Sequence, residues 1–184
     1  FPDVGGGQLL VASKEVLVSG NTAKYPLVSI GSAGSIAADP AGAGPIQGAQ
    51  TVVFYEGKMI LTDFDNNRVL IWNNVPADPD VTGAVTPPDV VVGQSSIGSL
   101  DSIPNLPGLR CLPQLLFNPE SVNVVNGNLV IADSGNNRIL IYAGIPTLSY
   151  AEPAVVLGRS DCGAGLGVVG GSVEFNYPTD IDRK

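Results

Sequence analysis

The chain has 184 residues and a formal net charge of −8, and 44% of its residues are hydrophobic. This length is sufficient for one domain with a sizeable core. The negative charge and the absence of a basic cluster argue against nucleic acid or an anionic membrane surface as partner. No apolar run reaches the roughly 20 residues that would span a bilayer, so we expect no membrane insertion. With 23 Gly, 15 Pro and only 14% charged residues, the composition favours many short strands and indicates an all-β fold.

Short runs rich in Val, Ile and Leu, bounded by Gly, Asn, Asp and Pro, are typical of strands. In this chain they form a repeated set of four, which we call runs a, b, c and d. The first set is partial and spans 8–31, with run b at 8–12, run c at 15–19 and run d at 26–31.

The second set is complete and spans 51–93, and the third is complete and spans 120–158. A last run a, at 176–182, belongs to a segment 175–184 that we interpret as the first strand of a further unit or a closing strand. The complete sets have run a at 51–55 and 120–125, run b at 58–63 and 128–133, run c at 68–72 and 138–142, and run d at 88–93 and 153–158.

The turns between these runs also repeat. Glu56 with Gly57, and Asn126 with Gly127, predict tight hairpins between runs a and b. Ahead of run b, FNPESVNVV at 117–125 is echoed by FNYPTDID at 175–182. The long segments 73–87, 94–117 and 143–152 show no periodicity and are predicted to be loops.

One polar cluster is repeated between runs b and c, in DFDNNRVLIW (63–72) and DSGNNRILIY (133–142). Two interpretations are open: an active site used twice, or a structural turn in which each Asp accepts turn N–H groups and pairs with the Arg. We favour the structural turn, because a cluster repeated in every unit does not converge on one pocket. Its residues are Asp63, Asn66, Asn67 and Arg68 in the first copy and Asp133, Asn136, Asn137 and Arg138 in the second.

The stretches KMILTDFDNNRVLIW and NLVIADSGNNRILIY resemble NHL-repeat β-propellers, in particular the long-repeat bacterial type usually found in exported proteins. The resemblance implies an all-β propeller with about three blades' worth of four-stranded antiparallel sheets. It also implies a secreted, periplasmic or cell-surface location. The first copy departs from the pattern, since its b–c turn has no Asp, Asn pair or Arg.

Three blades are too few for a closed propeller, which generally needs at least four. Either the chain is part of a longer protein, which its start at Phe1 and its stop within a repeat favour, or two chains close a six-bladed ring. In the second case each chain gives its 176–182 strand to the other's 9–31 partial blade. Open blade edges would in either case allow self-association.

Few residues indicate chemistry. The chain has no histidine, which removes the commonest general base and metal ligand. The G-x-G-x-x-G match at 165–170 is followed by no helix pattern and is interpreted as a loop. Acidic loop residues Asp78, Asp80 and Asp101 are interpreted as solvated, with Ca²⁺ as the only cofactor considered. The composition is typical of an exported protein, which favours a disulfide between Cys111 and Cys162 over two free thiols.

Three functions are therefore considered. The leading hypothesis is a non-enzymatic interaction or scaffold propeller that binds a protein, peptide or glycan through its face loops. The second is a carboxylate- or Ca²⁺-dependent hydrolase or lyase in the central channel, with Asn123, Asp180 and Asp182 as candidate residues. The third is a structural subunit of an extracellular assembly, joined through open blade edges.

Overall fold

The computed structural model of the chain confirms the all-β prediction. Among the residues described there are two four-stranded antiparallel sheets, one two-stranded sheet and a single 3-10 helix of three residues. These residues are 9–11, 28–30, 46, 48–75, 87–95, 112–158 and 175–181.

Two short strands near the start, β1 (Leu9–Val11) and β2 (Val28–Ile30), form an antiparallel pair that we call the minor sheet. The first sheet follows, in the order β3, β4, β5 and β6, with each strand antiparallel to its neighbours. Its strands are β3 (Ala49–Tyr55), β4 (Lys58–Asp63), β5 (Arg68–Trp72) and β6 (Val90–Val92).

The second sheet repeats this order with β7, β8, β9 and β10. A 3-10 helix over Ser134–Asn136 lies in the turn between its second and third strands. The strands are β7 (Pro119–Val125), β8 (Asn128–Asp133), β9 (Arg138–Ile141) and β10 (Val155–Gly158).

Both predicted hairpins are formed by two residues with positive φ. Glu56 and Gly57 have φ of 47° and 79°, and Asn126 and Gly127 have φ of 50° and 79°. Two successive positive φ values define the tight turn whose twist matches that of the strands it joins. Asn and Gly adopt this conformation at the lowest cost, which explains Gly57, Asn126 and Gly127, whereas Glu56 adopts it without this preference.

The two strands of the minor sheet pair directly. Leu10 pairs with Ser29, as Leu70 of β5 pairs with Val91 of β6. Strand β1 lies within the predicted run b at 8–12, and β2 lies within the predicted run d at 26–31. The predicted run c at 15–19 lies outside the described residues, so the assignment of the three runs in the first copy stays a prediction.

Segment 175–181 contains no strand, and residues 182–184 lie outside the described residues, so a first or closing strand at 176–182 stays a prediction. A strand requires a hydrogen-bonded neighbour, and no described strand pairs with this segment. Its backbone groups bond instead to side chains of the second sheet, including Asn123 and Asn137.

The two large sheets pack face to face around one apolar cluster. The alternation of side chains along each strand sends every second residue to this face. The cluster's buried members are Ile60, Val69, Ile71, Val90 and Val92 from the first sheet, Val122, Val124, Leu129, Ile131, Leu140 and Tyr142 from the second, and Leu116 between them.

The faces of the two sheets that point away from this cluster differ in how deeply they are buried. In the first sheet this face is also buried, so its strands are near-continuous apolar runs. Its members Met59, Leu61, Leu70, Trp72 and Val91 form a second cluster with Ile46. In the second sheet the corresponding side chains are less covered: Val130 is 8% exposed, and Ile139, Ile141, Val155 and Leu157 are partly exposed.

The contact between the two sheets predicts that truncation of a buried leucine costs far more stability than truncation of an exposed one. Leu140 lies fully buried in this contact, whereas Leu148 is 76% exposed. We expect Leu140→Ala to lower the free energy of unfolding by about 2–5 kcal/mol, through lost burial and the cavity left behind. The matched variant Leu148→Ala should change it by less than about 0.5 kcal/mol. Urea unfolding of both variants measures this, and similar losses would contradict the packing described.

Candidate functional site

The repeated polar cluster lies at the turn between the second and third strands of each large sheet. In the first sheet, Arg68 Nε donates to Asp63 Oδ2 at 2.7 Å, and both side chains are fully buried. Asn66 Nδ2 donates to both carboxylate oxygens at 3.0 Å. The Arg therefore pairs with the Asp across the turn, and the first Asn also donates to the carboxylate.

The second copy has the same ion pair and the same Asn–Asp hydrogen bond. Arg138 Nε lies 2.6 Å from Asp133 Oδ2, and Asn136 Nδ2 donates to the same oxygen at 2.8 Å. Asp133 Oδ1 accepts the N–H of Phe117 at 2.7 Å. The sequence predicts that the Asp accepts N–H groups of its own turn, whereas this donor comes from the segment that precedes β7.

Burial and the neighbouring polar groups have opposite effects on the pKa of Asp133. Complete burial raises the pKa of its carboxyl above the ordinary value, while the Arg138 guanidinium, the Phe117 N–H and the Asn136 amide act to lower it. A buried carboxylate costs several kcal/mol unless it is paired and hydrogen-bonded, and these three groups supply the pairing. Asp133 is thus a charge enclosed by its partners, with a fully buried side chain.

Arg138 extends the cluster towards the loop before β7. Its Nη2 donates to the carbonyl of Leu112 at 3.1 Å and to that of Leu115 at 2.7 Å. In the first sheet, Gln94 Nε2 donates in a similar way to the carbonyl of Asn66. The charged cluster therefore binds backbone groups of neighbouring loops.

The second Asn of each pair joins one sheet to the segment that follows. Asn67 and Asn137 have positive φ, of 56° and 53°, so only this Asn of the pair adopts the left-handed conformation. Asn67 Oδ1 accepts the N–H of Asn118 at 2.9 Å, and Asn137 Oδ1 accepts the N–H of Tyr177 at 2.8 Å. We call this repeated contact the Asn joint.

A glycine at the end of the fourth run makes each Asn joint possible. Gly93 has φ of 101°, and a Cβ there would lie 2.8 Å from Asn67 O and from a side-chain carbon of Leu116. Gly158 has φ of 109°, and its Cβ would lie 2.7 Å from Asn137 O and from a ring carbon of Phe175. Both the backbone conformation and the close approach require glycine.

These contacts correct the alignment of FNPESVNVV with FNYPTDID by one residue. The identical letters pair Phe117 with Phe175, but the structure makes Leu116 the counterpart of Phe175. Asn118 and Tyr177 are likewise equivalent, since both donate to a joint Asn and have φ of 49° and 51°. Tyr177, which stands between Asn176 and Pro178, shifts the Phe-Asn letters by one position. Pro119 and Pro178 are aligned in both the sequence and the structure.

The residues suggested for a channel enzyme have structural contacts. Asn123 Nδ2 donates to the carbonyl of Ile181 at 2.9 Å, and Asp180 Oδ1 accepts the N–H of Ile181 at 2.8 Å. Burial, together with the nearby Asp133 carboxylate, raises the pKa of the Tyr142 hydroxyl above its ordinary value. Outside the described residues lie Cys111 and Cys162, Asp78, Asp80, Asp101 and Asp182, and the 165–170 stretch.

Within the residues that the structure describes, no three His, Cys, Asp or Glu side chains group in a way that would hold a metal ion. The described part of the chain also has no helix with the length and apolar content needed to cross a bilayer.

Exposed apolar side chains were not singled out from the sequence, because hydrophobicity alone does not tell which residues stay uncovered. Six large ones are exposed among the described residues, and four of these lie in the segments predicted to be loops. The four are Val75, Leu112, Leu148 and Tyr150; the other two are Phe54 and Tyr177.

Comparison with known proteins adds no family. No family model matches the chain, and no curated protein matches it.

The buried ion pair predicts strong non-additivity. Asp133→Asn leaves the Arg138 guanidinium buried beside a neutral group, and we expect it to cost about 3–5 kcal/mol of the free energy of unfolding. Combining it with Arg138→Met, which also removes the buried charge, should cost clearly less than the sum of the two single variants. Urea unfolding of the four proteins of the cycle measures the coupling. Simple additivity would show that the pair does not act as a unit.

The Asn joint predicts that removal of the Asn67 side chain alone lowers the stability of the protein. Asn67→Gly keeps the positive φ accessible but removes the oxygen that accepts the Asn118 N–H, so we expect a cost of about 1–2 kcal/mol. Asn126→Gly is the matched control, because Asn126 also has positive φ but lies exposed in a hairpin. It should change the stability by less than about 0.5 kcal/mol. Equal effects in thermal unfolding would mean that Asn67 matters only for its backbone conformation.

Proposed function

We propose that the chain is a non-enzymatic interaction or scaffold domain, built as an NHL-type β-propeller and exported or displayed at the cell surface. It binds a protein, peptide or glycan through its loops. The proposal is supported by the two four-stranded antiparallel sheets with the same order and joint, and by the resemblance of their b–c turns to NHL repeats.

The observation that carries the binding role is the presentation of Leu148. This side chain is 76% exposed, yet its loop is tied to the first sheet next to it. Ser149 Oγ accepts the N–H of Val91 at 3.0 Å, and the Tyr150 N–H donates to the carbonyl of Val91 at 3.0 Å. An exposed apolar group on a fixed loop loses little conformational entropy when it binds, which is favourable for recognition.

The repeated polar cluster supports the same proposal, because its charged groups are already bound within the protein. Its carboxylates and guanidinium groups are fully or almost fully buried and hydrogen-bonded within the protein. A ligand would have to break these contacts to reach them. We therefore place recognition in the loops, which differ between the two large sheets, and not in the cluster.

A second candidate, a structural subunit of an extracellular assembly, is favoured by one observation. Segment 175–181 contacts the second sheet through the Asn joint, as the segment before β7 contacts the first. An arrangement that is repeated at the exposed side of the second sheet is suited to adding another sheet.

The loop proposal predicts which substitutions abolish binding. A survey with a glycan array and a displayed peptide library would identify a ligand, and Leu148→Ser should reduce its affinity at least about tenfold, by loss of a buried apolar contact. Phe54→Ser is the matched control: Phe54 is 52% exposed but lies in β3 and not in a loop. Binding that survives Leu148→Ser and fails with Phe54→Ser, or no binding at all, would refute the loop proposal.

A further inference from the structure

The hairpin between β7 and β8 contains the chain's one Asn-Gly dipeptide. Asn126 is exposed, and its side chain has no hydrogen-bond partner among the described residues. Gly127 follows it with φ of 79°, and its N–H donates to no acceptor in this part of the structure. Of the groups that the structure describes, none holds the side-chain amide or the backbone nitrogen beside it.

These two groups can react with each other. The Gly127 nitrogen attacks Cγ of Asn126, the bond from Cγ to Nδ2 breaks, and the nitrogen's proton leaves with the amide group as ammonia. The product is a cyclic succinimide, which water then opens. Addition of water at Cγ restores the normal backbone and gives aspartate. Addition at the backbone carbonyl carbon gives isoaspartate, in which the main chain runs through the former side chain.

Other asparagines of the described chain are held in ways that hinder this attack. After Asn74 and Asn176, the following N–H already donates to an acceptor, at 2.9 Å and 2.8 Å. Asn118 precedes a proline, which has no N–H. In Asn66 and Asn136 the amide donates to a carboxylate of the repeated cluster. The residue after each of them also carries a side chain, whereas glycine has none, so the attack is least hindered in the β7–β8 hairpin.

The equivalent hairpin of the first sheet shows what this turn tolerates. It has Glu56 with φ of 47°, where Asn126 has 50°. A carboxylate therefore fits the turn without a change of backbone conformation, and we expect aspartate at position 126 to fit as well. Isoaspartate differs, because it adds a methylene group to the main chain of a two-residue turn. The pairing of Val125 with Asn128 depends on the length of that turn.

We propose that Asn126 is a site of spontaneous deamidation and that its two products affect the hairpin differently. Aspartate leaves the turn intact and adds a negative charge, whereas isoaspartate breaks the pairing of Val125 with Asn128. The tip of the hairpin lies beside the first sheet, since a Cβ on Gly127 would be 3.9 Å from the hydroxyl of Tyr55. A rearranged tip therefore also alters the contact between the two large sheets at this end.

Prolonged incubation of the folded chain at mildly alkaline pH tests the site. Tandem mass spectrometry of its peptides locates each converted asparagine by the mass change from amide to carboxylate. We expect Asn126 to convert at least about tenfold faster than Asn74 or Asn176, because their held N–H groups and larger following residues raise the barrier. The control Asn126→Gln, whose ring would need one more atom, should abolish the product. Equal rates at the three asparagines, or conversion of Asn126 only after unfolding in urea, would overturn the proposal.

Amide hydrogen exchange by NMR tests the difference between the two products. The Asn126→Asp variant represents the aspartate product, and chromatography of aged protein isolates the isoaspartate product, identified by an isoaspartate-specific methyltransferase. We expect the Val125 amide to exchange at least about tenfold faster in the isoaspartate protein, the effect of one lost hydrogen bond, and at the original rate in Asn126→Asp. Equal exchange in the two products would contradict the proposal. Neither test uses a ligand, so failure here is distinguishable from failure of the loop proposal.

Discussion

The structure depends on enclosing a carboxylate and a guanidinium away from water. A buried ion pair is tolerated only when nearly every remaining hydrogen-bonding group is satisfied by the protein. Asp133 meets this requirement with the Phe117 N–H, and Arg138 with the carbonyls of Leu112 and Leu115. The charged turn therefore orders the chain that leads into β7. The same requirement explains why the cluster is repeated and why its two sheets resemble each other in detail.

The packing of one sheet on the next follows from this turn. Asn67 lies within the same turn, between Asn66 and Arg68, and its side chain accepts the N–H of Asn118 at the start of the second sheet. Gly93 allows the backbone segments on either side of this contact to approach each other. The apolar faces then meet in a contact without exposed members. The ion pair, the Asn67 side chain and Gly93 position the sheets, whereas burial of the apolar cluster supplies most of the stabilisation.

The functional conclusion comes from the division between what repeats and what does not. The repeated polar residues are buried and bound to one another, so they serve the fold. The non-repeated loops carry Leu148 and three other exposed apolar side chains. We accordingly propose that ligand recognition lies in these loops and not in the repeated cluster.

The sequence by itself determined the all-β class, the eight strands of the two large sheets and the hairpins at Gly57 and Gly127, and it indicated the repeated polar turns at 63–68 and 133–138. These depend on local signals: apolar periodicity and residues that tolerate positive φ. Tertiary structure decided the rest. Whether 175–181 forms a strand depends on a neighbouring strand, and none of the described strands pairs with it. The roles of Asn67 and Gly93, and the exposure of Leu148, depend on residues far away in sequence, whose proximity no local pattern encodes.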